Sequence, residues 1–317
     1  MHSAHHFKSI NYTGQGQGPR LIVTGAVHGN ETCGTKGILR VMAEIDSGEL
    51  PILAGSVTFV PVTNPLAYAK GQRSGERNLN RNLFPNAHPQ DFEDRIANWL
   101  CPLLGQHDVL LDLHSFNADS QPFVMVGPRN NDGTLQPFQH EEKERALARR
   151  LGVRRFVDGW LQTYGQGVTR RMGSSEQVGM VLRYGVGTTE YMRSTGGYAL
   201  TLECGQHADP AAPDVAYRAI RNTLAFLGLV AAPQPEPIAD ADMEALSMVV
   251  VHDKLDAGDR FIKTWSSFDT VKQGEQIGVR ADGTPVTAEF DAYILFPDVN
   301  AQANAEWYYL ARVNPGF

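Results

Sequence analysis

The stretch Arg20-Leu-Ile-Val-Thr24-Gly-Ala-Val-His28-Gly-Asn-Glu31-Thr32 passes from a short β-branched apolar run into a polar turn, and a helical pattern from Cys33 to Ser47 follows at once. Strand, turn and helix in that order form the unit of an open α/β sheet, whose loops at the strand ends gather ligand-binding residues. The unit recurs outward along the chain. Apolar runs at Ser56–Val60, Asp108–Leu113, Phe123–Val126 and Tyr198–Leu202 read as strands, and Phe92–Leu104, Glu141–Leu151, Glu176–Tyr184 and Pro213–Leu227 as helices. An α/β domain over residues 1–230, a mostly parallel sheet flanked by helices, is expected.

Beyond Leu229 the composition changes. Pro233, Pro235 and Pro237 place three prolines in five positions, which forbids helix and favours an extended linker over residues 231–240. Residues 241–317 then carry short strand patterns between turns, at Met248–Val251, Gly258–Ile262, Thr270–Gly274, Ile277–Arg280, Asp282–Pro285 and Ala292–Phe296. A small all-β barrel or sandwich domain is expected there. With 42% hydrophobic and 20% charged residues in 317, the chain is composed like a folded globular protein, neither disordered nor collagen-like. A net charge of −7 gives a nucleic-acid backbone little to attract, so no nucleic-acid partner is expected. The polar N-terminus and the lack of an 18-residue apolar run imply a cytoplasmic location and no membrane partner. Cys33, Cys101 and Cys204 are far apart and form no C-x-x-C, so reduced thiols are expected.

Four segments carry groups with chemical potential. His28 and Glu31 stand three apart just past the first strand, where an imidazole and a carboxylate on one side of a turn suit a zinc ion; taken alone, the pair reads more readily as a chance spacing or a solvated turn. His114, in Asp112-Leu-His114-Ser115, ends another apolar run and could meet them as a third ligand; taken alone it is a core histidine. Two histidines and a glutamate with a water in the fourth position are an established hydrolytic zinc arrangement. Arg77-Asn-Leu-Asn80-Arg81 and the earlier Arg73 offer guanidinium forks for substrate carboxylates, or are surface arginines. Glu203, in Thr201-Leu-Glu203-Cys-Gly-Gln, closes an apolar strand, where a carboxylate needs either a general acid/base role or a salt-bridge partner.

H-G-N-E, N-L-N-R, D-L-H-S and T-L-E-C-G, in this order across Leu21–Gln206, resemble the succinylglutamate desuccinylase/aspartoacylase family, relatives of the zinc carboxypeptidases. The resemblance implies a zinc-carboxypeptidase-like mixed, mostly parallel sheet followed by a small β domain. It implies one zinc ion per chain on His28, Glu31 and His114, Asn80 and Arg81 on the substrate carboxylate, Arg73 polarising the scissile carbonyl and Glu203 as general acid/base. Arg193, in Tyr191-Met-Arg193-Ser, is similar to a further substrate-binding arginine, and Tyr308 to a tyrosine that closes the pocket from the C-terminal domain. The implied activity is zinc-dependent hydrolysis of the amide bond of a small anionic N-acyl amino acid.

Two positions depart from the aspartoacylase pattern: Thr189 stands where a substrate-binding tyrosine is placed, and Cys-Gly-Gln-His follows Glu203 where that pattern has Val-Gly-Pro-Gln. Acyl group and amino acid therefore stay open, as do a peptide-cleaving zinc carboxypeptidase, an esterase, a metal-binding protein without catalysis, and the oligomeric state, a homo-oligomer included.

Overall fold

A computed structural model describes residues 5–133, 136–172 and 183–317. The helix expected at Glu176–Tyr184 falls mostly outside these residues. Fourteen strands are present among the described residues. In chain order they are β1 (Ile10–Thr13), β2 (Gly16–Gly25), β3 (Ala54–Val60), β4 (Val109–Phe116), β5 (Phe123–Met125), β6 (Arg155–Asp158) and β7 (Tyr198–Gln206). They continue as β8 (Glu244–Lys254), β9 (Arg260–Phe261), β10 (Thr270–Val271), β11 (Gln276–Val279), β12 (Pro285–Thr287), β13 (Ala292–Leu295) and β14 (Ala305–Val313). The helices are α1 (Cys33–Asp46), α2 (Pro65–Lys70), α3 (Phe92–Leu104), α4 (Glu141–Ala148), α5 (Trp160–Met172), α6 (Thr188–Ser194) and α7 (Ala212–Phe226).

An eleven-stranded sheet runs β1-β3-β2-β4-β7-β5-β6-β8-β14-β13-β10. Strands β3, β2, β4 and β7 are parallel neighbours, while β5 pairs antiparallel with β7. The period of two along these strands sorts the side chains between two layers. Leu21 and Val23 of β2 join Val109, Leu111 and Leu113 of β4 in the core under α1 and α7, whereas Ile22 and Leu110 face Ile96 and Leu100 of α3 and Met192 of α6. The same alternation turns Asp112 and His114 toward the α3/α6 layer. Register then sets His114 directly beside Glu203 of β7.

The chain after the proline stretch extends this sheet. Strand β8 pairs parallel with β6, and β14, β13 and β10 follow antiparallel, while β9, β11 and β12 make a separate three-stranded sheet. Trp265, Ile277, Ile294 and Trp307 form the core of this C-terminal lobe. A further apolar cluster, with Phe123 and Val157 against Leu246, Phe268 and Leu295, seats the lobe on the main sheet. The strand expected at Asp282–Pro285 is instead the turn of the β11–β12 hairpin, closed by Arg280 N–H donating to Thr284 O, as Asp-Gly favours. No helix among the described residues is long and apolar enough to cross a membrane.

Helices α1 and α7 meet at Gly37, where a Cβ would come within 2.8 Å of the Ala216 Cβ and 2.9 Å of the Tyr217 nitrogen. Gly37→Ala is expected to cost roughly 1–3 kcal/mol through overpacking, measured as a fall in the urea midpoint without a change of slope. An unchanged midpoint would show that the two helices are not held this close.

Candidate active site

His28 and Glu31 lie in the turn between β2 and α1, which is pinned to the chain after β3: Thr63 and Asn64 donate backbone N–H bonds to Gly25 O and Ala26 O at 2.9 and 3.0 Å. Gly29 fits only as glycine, since a Cβ would stand 2.0 Å from the Ala67 carbonyl carbon in α2. His114 and Glu203 come from the ends of β4 and β7. The loop carrying Arg73, Asn78, Asn80 and Arg81 is gathered by Glu93, fully buried, whose carboxylate accepts from Gly75, Glu76 and Arg77 N–H and from Asn64 Nδ2.

His28 Nδ1 lies 2.8 Å from Glu31 Oε1, and His114 Nδ1 lies 2.8 Å from Glu31 Oε2. The opposite ring nitrogens are held from behind, His28 Nε2 at 3.0 Å from Asn78 Oδ1 and His114 Nε2 at 2.9 Å from Asp112 Oδ2. With a metal bound, the acceptor behind each ring would keep the proton on Nε2 and leave Nδ1 as the ligating lone pair. One donor atom from each of the three buried side chains lies within 4.8 Å of the others. Two imidazoles and a carboxylate so arranged fit a zinc ion. Asp112 is itself satisfied, accepting from Thr24 Oγ1 at 2.6 Å and from Thr188 Oγ1.

The two histidines differ electrostatically. Burial, helped by Arg73, takes the His28 pKa down to about 4 against the pull of Glu31. Burial acts on His114 as well, but Asp112 and Glu31 stand on either side of that ring and together hold its pKa well above the usual value. Glu31 stays well below the usual carboxylate range: burial opposes this, and the two imidazoles outweigh it. Glu203 goes the other way. Burial pushes its pKa up to about 8, with Glu31 adding to the effect against the pull of His114 and Arg73. Its Oε2 is buried without a hydrogen-bond partner among the described residues.

These groups open onto one cavity of about 630 Å³, within the usual size of a small-molecule site. Arg73, Asn80, Arg81 and Arg193 border it with the four residues above. Arg73 Nη1 reaches Glu31 Oε1 at 3.1 Å from a half-exposed side chain. Asn80 Oδ1 accepts the Thr188 N–H at 2.9 Å, and the Arg81 guanidinium lies over the Trp160 ring at 4.6 Å. Arg193 is buried and held by Glu144, with Nε and Nη2 donating at 2.9 and 3.2 Å and Nη2 also reaching Ala199 O. Tyr308 is not on the cavity. It packs in the C-terminal core against His252, at 4.7 Å between ring centres, and its neighbour Tyr309 borders the cavity instead. A register shift between Glu306 and Tyr308 turns the strand and exchanges the two faces. Cys33, Cys101 and Cys204 are free and buried, in keeping with reduced thiols.

Sequence reasoning passed over four residues. Asp112 carried a signal, since a carboxylate two before a strand histidine shares its face. Asn78 stands in the N-L-N-R motif without having been given a role, and Glu93 and His207 carried no signal; His207 Nδ1 lies 2.8 Å from Ser115 Oγ on the cavity wall.

The His–Glu–His donor set at the strand ends of this mixed α/β sheet is a candidate metal site. Residues 17–153 match the succinylglutamate desuccinylase/aspartoacylase catalytic domain. An N-alpha-acetyl-L-2,4-diaminobutyric acid deacetylase of Halomonas elongata is 31% identical over 105 residues, 32% of this chain and 30% of that protein. A probable aspartoacylase of Prochlorococcus marinus is 31% identical over 132 residues, 38% of this chain and 43% of that protein. The match thus spans less than half the length of these curated relatives. The crystal structure of a succinylglutamate desuccinylase/aspartoacylase from Rhodobacter sphaeroides shares the fold with a TM-score of 0.73 at 18% identity, over 97% of this chain and 89% of that one. The product-bound ectoine utilization protein EutE (DoeB) from Ruegeria pomeroyi aligns with a TM-score of 0.68 at 18% identity, over 94% and 86%.

Two measurements check this geometry. Asp112→Asn should weaken zinc binding by about 10–100-fold in a chelator competition, because it loosens the support of His114; unaltered affinity would remove that role. Glu203, with a folded pKa of about 8 against an ordinary 4.5, carries no penalty while both states are protonated. Between those values the unfolded chain ionises first, so the folded state loses stability as pH rises. In chelated protein the Tm advantage of Glu203→Gln over wild type should grow from about pH 5 to about pH 8, and a constant difference would contradict the raised pKa.

Proposed function

We propose that this protein is a zinc-dependent amidohydrolase that removes the acyl group from a small anionic N-acyl amino acid. The observation that carries the reading is Glu203, whose buried Oε2 has no hydrogen-bond partner among the described residues and which borders the same cavity as the His28–Glu31–His114 set. The names of the relatives, a deacetylase of an N-acetylated amino acid and a probable aspartoacylase, support the acyl amino acid as substrate.

His28, Glu31 and His114 would hold one zinc ion per chain, which when bound supplies Lewis-acid activation of water and of the scissile carbonyl. Glu203 Oε2 has no competing partner, so it is placed to take a proton from the attacking water and return it to the departing amine. Arg73, half-exposed at the cavity mouth, supplies positive charge for the oxygen that becomes anionic as the carbonyl is attacked. Arg81 and Asn80 fix the substrate carboxylate, Arg81 with its plane already oriented by Trp160. Arg193, held by Glu144, would support this wall more than bind the substrate directly.

The deacylase is favoured over a peptide-cleaving carboxypeptidase because the C-terminal lobe contributes to the cavity wall. Ser267, Phe296, Asp298 and Tyr309 border the same space as Glu203, which leaves less room for an extended peptide. The first experiment is hydrolysis of a panel of N-acyl amino acids and C-terminal peptides with zinc, after chelation and after zinc is restored. Chelator-sensitive release of a free amino acid from an acyl compound is expected, and activity on peptides alone would move the assignment to a carboxypeptidase. Glu203→Gln should keep zinc and lose about 10²–10⁴-fold in rate, and unchanged turnover would remove its role. His28→Ala should lose the metal, and full zinc occupancy in that variant would contradict the ligand set.

A further inference from the structure

A run of aromatic rings lines one side of the cavity and is built from three separate parts of the chain. Tyr164 and Trp160 of α5 are 5.2 Å apart, Trp160 and Tyr309 of β14 are 5.8 Å apart, and Tyr309 and Phe296, just after β13, are 6.4 Å apart between ring centres. All four border the cavity. Trp160 and Phe296 keep part of their surface exposed.

The position of Phe296 is maintained against its backbone preference. Its φ is 48°, in the left-handed region where a bulky residue is an outlier, and Pro297 follows it. A glycine or asparagine would make this turn more cheaply. The strained residue is held by its N–H, which donates to Ser267 Oγ at 3.0 Å, and by the Phe123 ring at 5.3 Å. What the strain achieves is a ring beside Tyr309 on the cavity wall.

Charge at the cavity points the same way. The Arg81 guanidinium, assigned above to the substrate carboxylate, lies over Trp160 at 4.6 Å and Tyr164 at 5.3 Å. A carboxylate bound by Arg81 therefore places the substituent on its own α-carbon next to these rings. A second carboxylate in that substituent would need a second cation. Arg193 is engaged by Glu144 and Ala199 O, and Arg73 by Glu31. Glu190 and Asp298, both acidic, border the same space.

We infer that the substrate is an N-acyl derivative of an amino acid with a large apolar side chain, aromatic or branched aliphatic, seated against Trp160, Tyr309 and Phe296. This rests on the deacylase reading and narrows it. A succinylated glutamate or an acetylated aspartate would set a second carboxylate against an aromatic wall where, among the described residues, Arg73 and Arg193 are already engaged by Glu31 and Glu144.

The test is kcat/KM of the zinc-loaded full-length protein for N-acetylphenylalanine, N-acetylleucine, N-acetylalanine, N-acetylaspartate, N-succinylglutamate, N-acetyl-2,4-diaminobutyrate and N-benzoylalanine. The expected order has the phenylalanine and leucine compounds at least about tenfold above the aspartate, glutamate and diaminobutyrate ones. Trp160→Ala and the milder Trp160→Leu should narrow the ratio between N-acetylphenylalanine and N-acetylalanine. Calorimetric binding to zinc-loaded Glu203→Gln should rank N-acetylphenylalanine above N-acetylaspartate. A preference for an acidic or basic side chain overturns the inference and leaves the deacylase standing, as does a preference for N-benzoylalanine, which would place the apolar group on the acyl side. Release of no amino acid from any acyl compound overturns the deacylase reading and this inference with it.

Discussion

One buried carboxylate, Glu31, stands between two imidazoles, and much of the architecture serves to keep those three groups together and away from water. Its two oxygens each lie 2.8 Å from an Nδ1, one of His28 and one of His114, and Ser115 N–H donates to Oε2 at 3.2 Å. A charge this deep costs several kcal/mol unless it is paired, so the pairing partners have to be delivered with accuracy. The sheet does this. Strands β2 and β4 are adjacent and parallel, so the turn after one and the end of the other meet at the same edge.

The consequences spread outward in shells of polar contacts. Asp112 and Asn78 fix the far sides of the two rings, Thr24 and Thr188 fix Asp112, and Thr188 also ties the first turn of α6 to Asn80. Glu93, remote from the rings, gathers the backbone of the loop that brings Asn78 in. A substitution in this second layer therefore acts by letting a ring rotate. Glu203 departs from this pattern: its Oε2 is buried at the cavity with no hydrogen-bond partner among the described residues.

The parts of this arrangement legible in the sequence are those fixed by periodicity and by position at strand ends. A polar residue closing an apolar run marks His114 and Glu203, and the strand–turn–helix pattern marks His28 and Glu31. Strand β6, only four residues long, gave too short an apolar pattern to register, and with it went the sign that β8 continues the main sheet. Tyr308 and Tyr309 show a different limit. The resemblance carries a role onto one position, and the register shift after Glu306 places Tyr308 in the C-terminal core and its neighbour Tyr309 on the cavity. Contacts such as Asn78 on His28 or Glu93 on its loop join residues far apart along the chain, and no local pattern encodes them.

Cys33 donates its S–H to the His114 backbone oxygen at 3.3 Å, but its sulfur is not among the donor atoms that together could hold a metal ion, which are those of His28, Glu31 and His114. The direct measurement is X-ray absorption at the zinc edge on protein reconstituted with one equivalent of metal. The expected spectrum has a shell of nitrogen and oxygen only, with the outer-shell scattering of two imidazoles. A sulfur scatterer at about 2.3 Å, or failure to take up one zinc per chain, would contradict the His28–Glu31–His114 centre.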